Sequence, residues 1–210
     1  MPRGHDSMNS DSMFGSRLLV HHIDRGMEDS SLLECSDAVA RTRAGDVDAF
    51  ACLVQRFQSP ISNYLYRLTG DGELARDLAQ DTFIQAYKGL ATTIPSLSFK
   101  AWLYRIATNN ALQHYRRKAL VSFVPLDDDQ SPDTPVDTAQ GAADVAAVHE
   151  ALLKVPEKQR VCMVLHFVDG FKHREIAKML GLSEDAVRMR VARGGEEFRK
   201  AYGASGGDVP

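Results

Sequence analysis

Residues 74 to 118 read LARDLAQDTFIQAYKGLATTIPSLSFKAWLYRIATNNALQHYRRK, two helical patterns joined by a turn, and the rest of the chain is organised around them. At 100° per residue Leu78, Ala79, Thr82, Phe83, Ala86 and Leu90 fall on one side of the first helix, the stripe that a packed helix buries. The opposite side carries Asp77, Gln80, Asp81, Ile84, Tyr87 and Lys88. An isoleucine and a tyrosine rimmed by acid fit a docking surface. A solvated face with scattered apolar residues would give the same pattern.

The second helix, from about Phe99 to Lys118, carries five cations, Lys100, Arg105, Arg116, Arg117 and Lys118, and no acid. Phe99, Trp102, Tyr104 and Tyr115 are interleaved with them. Cations that meet phosphates, beside rings on which unpaired bases stack, make a surface suited to single-stranded nucleic acid. Phe99, Leu103, Ile106 and Asn110 trace the inward side. Arg105, Asn109, Gln113 and Arg116 line up beside it as the candidate DNA face, with Arg117 adjoining. Phe99 and Trp102 equally suit plain core.

Composition narrows the classes. At 210 residues the chain has room for one or two domains, and a later break in composition favours two small ones. The net charge of −3 means that any DNA surface is local, with the acid segregated elsewhere. Cys35, Cys52 and Cys162 lack paired spacing, which argues against a disulfide framework or a cysteine-rich zinc site. Cys162 and His166 lie four apart, with His149 and His173 nearby in sequence, but a zinc site needs four ligands in a defined geometry, and no metal or cofactor is expected. No apolar run approaches the roughly 20 residues that cross a bilayer, and FGSRLLV is too brief for a signal-peptide core. A cytoplasmic protein without membrane insertion is expected. With no phosphate-cradling glycine loop, nucleophile motif or inward cluster of acids, the expectation is not an enzyme.

In chain order, residues 1 to 35 are rich in Ser, Asp, Gly, His and Met and are expected to be disordered. Ser36 can cap a short helix to Arg43 that Gly45 closes. Asp46 can cap a longer one carrying Phe50, Leu53, Val54 and Phe57. Pro60 should bend or restart it, before Ile61, Tyr64, Leu65 and Leu68 continue the apolar face. Gly70, Asp71 and Gly72 form a turn, so residues 36 to 118 read as one helical domain. Ala119 to Val148 contains six aspartates, three prolines and no Lys or Arg. Residues 119 to 141 therefore read as a flexible acidic linker.

The second domain spans residues 142 to 202, before a disordered tail from 203 to 210. A helix from about Ala142 carries Val145, Val148, Ala151 and Leu152. Pro156 opens another that buries Val161, Leu165 and Val168 and ends at Gly170. The stretch REIAKMLGLSEDAVRMRVARGGEEFRK has the shape of a helix-turn-helix. Ile176, Ala177 and Leu180 make the first core, Gly181 the turn, Leu182 the plug and Ser183 the cap. Val187, Val191 and Phe198 share the inner face of the second helix. Its outer face is then Met189, Ala192 and Arg193, flanked by Arg188 and Arg190, which fits a major groove. Gly194 and Gly195 would weaken the helix near its end, so that it frays or bends there.

DLAQDTFIQAY followed by FKAWLYRIATNNALQHYRRK resembles region two of the bacterial sigma factors of the extracytoplasmic-function (ECF) group. LLKVPEKQRVCMVLHFVDGFKHREIAKMLGLSEDAVRMRVAR resembles region four. The resemblance covers about residues 37 to 200. It implies an all-α fold of two small helical domains joined by a flexible acidic linker, the second containing the helix-turn-helix. It further implies core RNA polymerase contact through Asp77, Gln80, Asp81 and Ile84. Contact with the minus-ten element is implied for the loop from Thr92 to Ser98 and for Arg105, Asn109, Gln113, Arg116 and Arg117. Minus-thirty-five contact is implied for Arg188, Met189, Arg190, Ala192 and Arg193. Gln113 departs from the acid usual in the family, and Lys172 and His173 stand where a small hydroxyl residue and an aromatic are common. The implied function is promoter recognition and transcription initiation, with an anti-sigma factor as a further partner. A stand-alone dimeric helix-turn-helix regulator is the alternative, against which the cationic second helix and its acid-faced neighbour weigh.

Overall fold

The computed structural model describes the backbone of residues 28–92, 97–121 and 139–204, with side chains for 35–92, 97–118 and 145–204. The expected disorder of residues 1–27 and 205–210, most of the Thr92–Ser98 loop and most of the acidic linker lie outside the described residues. Within them every regular element is helical: α1 (Glu28–Arg43), α2 (Val47–Thr69), α3 (Gly72–Thr92), α4 (Phe99–Val121), α5 (Ala139–Lys154), α6 (Glu157–Met163), α7 (His173–Leu180) and α8 (Glu184–Ala204). Helix α6 continues as a π-helical turn over Val164–Val168.

Three boundaries differ from the periodicity. Helix α1 starts at Glu28, eight residues before Ser36, and carries Cys35 into the core. Helix α4 extends to Val121 and α5 begins at Ala139, so both ends of the expected linker are helical. Pro60 neither ends nor restarts α2, which is one 23-residue helix. Pro60 is exposed, so the carbonyl left without its N–H faces water and can be hydrated.

Helix α2 starts where Asp46 Oδ1 accepts from the Ala49 N–H at 3.0 Å. Arg41 grips the same carboxylate at 2.9 and 2.7 Å. The Ala49 amide and then the guanidinium hold the Asp46 carboxyl below its usual range. Asp71 caps α3 in the same way, its Oδ1 accepting from Glu73 and Leu74 at 2.9 and 3.0 Å. The stripe Leu78, Ala79, Thr82, Phe83, Ala86 and Leu90 is buried throughout, against Leu53, Ile61, Tyr64 and Leu65 of α2.

A polar network crosses this core. Thr108 donates to the Tyr104 carbonyl at 2.7 Å, so its single proton is spent and the Tyr64 hydroxyl must donate to it, also at 2.7 Å. Asn110 Nδ2 donates to Thr82 Oγ1 at 3.1 Å, and Gln85 Nε2 donates to Asn110 Oδ1 at 3.0 Å. The buried Asn110 amide, satisfied on both sides in one direction, fixes the rotation of α4 against α3 more tightly than apolar contact alone.

In the second half, α6 and the π-turn bring Val161, Cys162, Met163, Val164 and Leu165 into a buried row. Val168 is only half-buried. Gly170 takes φ 75°, which lets the Phe171 N–H reach back to the Leu165 carbonyl at 2.9 Å. The halves pack on each other. The His149 ring stacks on Tyr66 with centroids 4.4 Å apart, and Tyr104 Oη donates to Asp169 Oδ1 at 2.8 Å.

Candidate functional site

Helix α3 turns its buried stripe inward, and its opposite face follows. Asp77, Gln80, Asp81 and Ile84 are all exposed, as are Tyr87 and Lys88. Ile84 keeps 43% of its surface open and Tyr87 41%, so these apolar side chains are not packed by the rest of the chain. Periodicity within α3 did not show that the face continues onto α2. An open cleft of about 670 Å³ runs between the two helices, lined among others by Val47, Phe50, Val54, Phe83, Ile84 and Tyr87. Val47 is 62% exposed at the cleft mouth, and Phe50 lies 5.0 Å from the Tyr87 ring. The signal was present in sequence, since Val47 falls off the buried phase of α2, but its apposition to Ile84 needs two helices in register.

On α4 the polar stripe also stands clear of the core. Arg105, Asn109, Gln113, Arg116 and Arg117 are all exposed, and Phe99 and Leu103 are buried beneath them, with Ile106 half-buried. The aromatic half of the expectation fails. Phe99 and Tyr104 are buried and present no ring on which a base can stack, and Tyr115 is tied through its hydroxyl to the Leu68 carbonyl. Trp102 and Tyr115 are half-buried, the Trp102 ring packed against Gly89 so closely that a Cβ there would lie 2.9 Å away. Aromatic spacing could not separate stacking platforms from interior wedges, because burial on α4 is set by α2 and by the second half of the chain. Burial pushes the Tyr104 phenol well above its usual range, with the Asp169 charge acting in the same direction.

The helix-turn-helix forms as its spacing predicts. Gly181 takes φ 66°, and the Leu182 N–H returns to the Ala177 carbonyl at 3.0 Å. Ser183 Oγ accepts from the Ala186 N–H at 3.2 Å. Ile176 and Ala177 are buried with Met179, whereas Leu180 is half-buried. Lys172 gives α7 no side-chain cap, but Glu175 accepts the Lys172 N–H at 2.8 Å, the returning half of a capping box.

Along α8 Arg188, Met189, Ala192 and Arg193 are exposed, and Met189 is 52% open. Arg188 is held by Asp185 at 2.9 Å and Glu184 at 3.5 Å, so its charge is partly spent at the helix start. Arg190 is half-buried and lies beside the Cys162 thiol, which burial pushes up. Gly194 and Gly195 neither fray nor bend the helix, which runs unbroken to Ala204. Both are buried, and a Cβ on Gly194 would sit 2.5 Å from Met163 Sδ. Gly194 is the point of close approach of α8 on α6.

The Cys162 and His166 pair does not converge. Cys162 is fully buried, and His166 points Nδ1 at the Phe171 carbonyl at 3.0 Å and stacks on His173 at 4.2 Å. Among the described residues no group of three or more His, Cys, Asp or Glu is arranged to hold a metal, and no helix is long and apolar enough to cross a membrane.

With both surfaces placed, comparison with known proteins is specific. The Sigma-70 region 2 family matches residues 53–121, and the Sigma-70 region 4 family matches residues 146–195. The chain is 29% identical to the ECF RNA polymerase sigma factor SigW of Bacillus subtilis, over 77% of this chain and 93% of that one. It is 30% identical to the RNA polymerase sigma-H factor of Pseudomonas aeruginosa, over 78% and 91%. It is 31% identical to the RNA polymerase sigma factor CarQ of Myxococcus xanthus, over 78% and 94%. Among solved structures, CnrH in complex with the cytosolic domain of CnrY is similar at a TM-score of 0.59 and 25% identity, over 81% of this chain and 98% of that one. The sigma factor RpoE of Bartonella quintana, solved with the anti-sigma factor NepR, shares the fold at a TM-score of 0.61 and 21% identity, over 72% and 95%. The alternative of a stand-alone regulator is not favoured, because both sigma regions are present in order and the relatives are matched over nearly their whole length. An acid-faced helix, a cationic helix joined to it and a helix-turn-helix behind them, in a chain that carries both sigma-70 regions in order and is matched over about three quarters of its length to RNA polymerase sigma factors, make this protein a member of the sigma-70 family of RNA polymerase sigma factors, in its extracytoplasmic-function group.

Proposed function

We propose that the two helical halves, residues 28–121 and 139–204, divide the work of this sigma factor. The first docks on core RNA polymerase through Asp77, Gln80, Asp81 and Ile84 and reads the minus-ten element through Arg105, Asn109, Gln113, Arg116 and Arg117. The second reads the minus-thirty-five element through Arg188, Met189, Ala192 and Arg193, with Arg190 at the edge. As a sigma factor the chain binds core polymerase and promoter DNA and directs initiation; its role is that of an initiation factor.

The observation that carries the division is the Gln85–Asn110–Thr82 chain of hydrogen bonds joining α3 to α4. It makes docking face and DNA face two sides of one body. A helix seated on polymerase then fixes where the stripe from Arg105 to Arg116 meets the template, and orientation is supplied by binding rather than by chance encounter. Exposed cations on α4 supply phosphate affinity, and an arginine presented to a groove supplies base discrimination. Gln113, neutral at its place, leaves the stripe without an acid.

Work alongside polymerase supports a cytoplasmic location. Similarity to CnrH, solved with the cytosolic domain of CnrY, supports a regulatory protein partner of the anti-sigma kind, and the open apolar cleft between α2 and α3 is a surface of the right character for it. The test is promoter-dependent run-off transcription with purified core polymerase. Transcripts that require the chain and both promoter elements are expected; a chain that binds the elements without polymerase, and adds nothing to it, would return the protein to the regulator class.

A further inference from the structure

The outer face of α8 has an apolar centre. Val187, Val191, Gly194, Gly195 and Phe198 are buried. At about 100° per residue their mean direction lies almost diametrically opposite Met189, whereas Arg193 stands roughly 40° from that line and Ala192 roughly 60°. Met189 therefore holds the centre of the face that a helix-turn-helix presents to a major groove, and it is 52% open. Ala192 beside it is exposed and too short to cover it.

Charge is arranged around this centre rather than on it. Arg188 and Arg190 each stand roughly 100° away, on the two flanks of the helix. Arg188 is turned back along α8, to Asp185 at 2.9 Å and Glu184 at 3.5 Å. Arg190 is half-buried. The exposed Asp185 and Glu196 continue the Met189 line at either end. Arg193, one turn beyond Met189, is the cation nearest the centre.

A thioether in that place discriminates by its chemistry. Its sulfur is a weak acceptor and it has no donor, so it cannot answer the polar base edges that line a major groove. Laid over an amino, carbonyl or ring-nitrogen group it displaces water and returns no hydrogen bond, which costs affinity. The apolar group among those edges is the C5 methyl of thymine. Methionine is flexible and polarisable, and settles against a methyl without demanding a single geometry.

Resting on the minus-thirty-five reading above, we infer that Met189 reads a thymine methyl, so that the upstream element of this protein's promoters carries a thymine, on either strand, close to the base pair that Arg193 contacts. The spacing follows from the helix. Four residues rise about 6 Å against about 3.4 Å per base-pair step, which places the thymine within about two base pairs of the guanine suited to Arg193. Cations directed at phosphates hold any sequence, whereas the methyl contact selects one base.

Holoenzyme assembled from the full chain and core polymerase first selects its element from duplexes randomised over both promoter elements. Each thymine of the selected upstream element is then replaced singly by deoxyuridine, which pairs as thymine does and lacks only the C5 methyl. One position should bind about fourfold more weakly as deoxyuridine, the worth of one buried methyl group. In Met189→Ala holoenzyme the thymine duplex should fall to the deoxyuridine level, so that the two bind alike, and Met189→Leu should restore the difference. Arg193→Ala should weaken the element yet keep the thymine preference, because it acts on another base pair. Equal binding with deoxyuridine at every position, or an undiminished preference in Met189→Ala, overturns the methyl contact and leaves the minus-thirty-five reading intact, since the selected element itself attests that reading. A selection that fixes no upstream sequence overturns both.

Discussion

Arg160 caps a helix that lies 92 residues behind it: its Nη1 donates to the carbonyl of Leu68, in the last turn of α2, at 2.7 Å. Its residue surface is 6% open, and burial lowers the guanidinium pKa. A cation there faces the negative end of the α2 dipole, and Tyr115 Oη donates to the same carbonyl from α4. One backbone oxygen thus collects three helices. Arg160→Ala should destabilise the protein by about 2 kcal/mol, the worth of a charge-assisted bond in a protected place. Urea unfolding followed by circular dichroism measures it, and a loss under about 0.5 kcal/mol would mean the contact is incidental.

Gly194 makes a prediction whose sign is diagnostic. Replacing a mid-helix glycine by alanine ordinarily stabilises by about 1 kcal/mol. Here the new Cβ would lie 2.5 Å from Met163 Sδ and 2.8 Å from its Cγ, and Met163 is itself buried. Overpacking of this kind costs about 1–3 kcal/mol, so Gly194→Ala should lower the melting temperature. A raised melting temperature would show that α8 can move off α6 freely.

The docking face predicts loss of a partner without loss of fold. Asp81→Arg combined with Ile84→Glu changes two exposed side chains and leaves the buried stripe of α3 untouched. Core polymerase should no longer co-purify with the variant, while its helical content and unfolding midpoint stay at the parent values. Retained co-purification would move the docking site off α3.

On α8 the two arginines should separate. Arg193 is exposed, and Arg193→Ala should shrink the ratio of binding to matched over mutated upstream elements by about 1–3 kcal/mol. Arg190 is half-buried beside the Cys162 thiol, so Arg190→Ala should weaken all sequences evenly and also cost stability. Holoenzyme binding across a salt series checks both; an unchanged ratio for Arg193→Ala would mean that α8 is docked in another orientation.

Contact between the two helical halves should depend on pH, through Asp169 and His149. Burial pushes the Asp169 carboxyl up to about 6, against the pull of the Tyr104 hydroxyl and the Arg67 and Lys100 charges. In an open chain the group returns to about 3.9. The closed form therefore binds the proton more tightly. Its contribution is fully present below about pH 4, is lost as pH rises through about 6, and is flat above, a change of roughly 3 kcal/mol. His149 works in the other direction: burial lowers its pKa, so its stack on Tyr66 weakens as pH falls below the ordinary histidine range. Distances between fluorophores on Gln55→Cys and Lys178→Cys, both exposed positions, measured from pH 4.5 to 7.5 in Cys52→Ser protein carrying Asp169→Asn or His149→Gln, separate the two. Asp169→Asn should keep only the weakening toward acid, and a parent-like profile in that variant would mean that Asp169 does not set how firmly the halves pack.

The helices, their exposed faces and the turn of the helix-turn-helix were legible in the sequence because each rests on neighbours within one or two turns. Leu78 to Leu90 repeat at helical spacing, Asp46 and Ser183 satisfy amides three residues on, and Gly181 lies where only a left-handed residue fits. The faces of α3, α4 and α8 followed, since whatever is opposite a buried stripe points outward. Tertiary structure decided the rest. Tyr104 was taken from base stacking to Asp169 and Gly194 from helix breaker to packing surface, and Val47 was set in the lining of a cleft beside Ile84 and Tyr87. It also joined Leu68 to Arg160 and Tyr66 to His149, pairs separated by 92 and 83 residues. Local periodicity reports whether a side chain leaves the helix inward or outward, whereas its partner depends on how distant helices cross, and that is settled by the packing of all of them together.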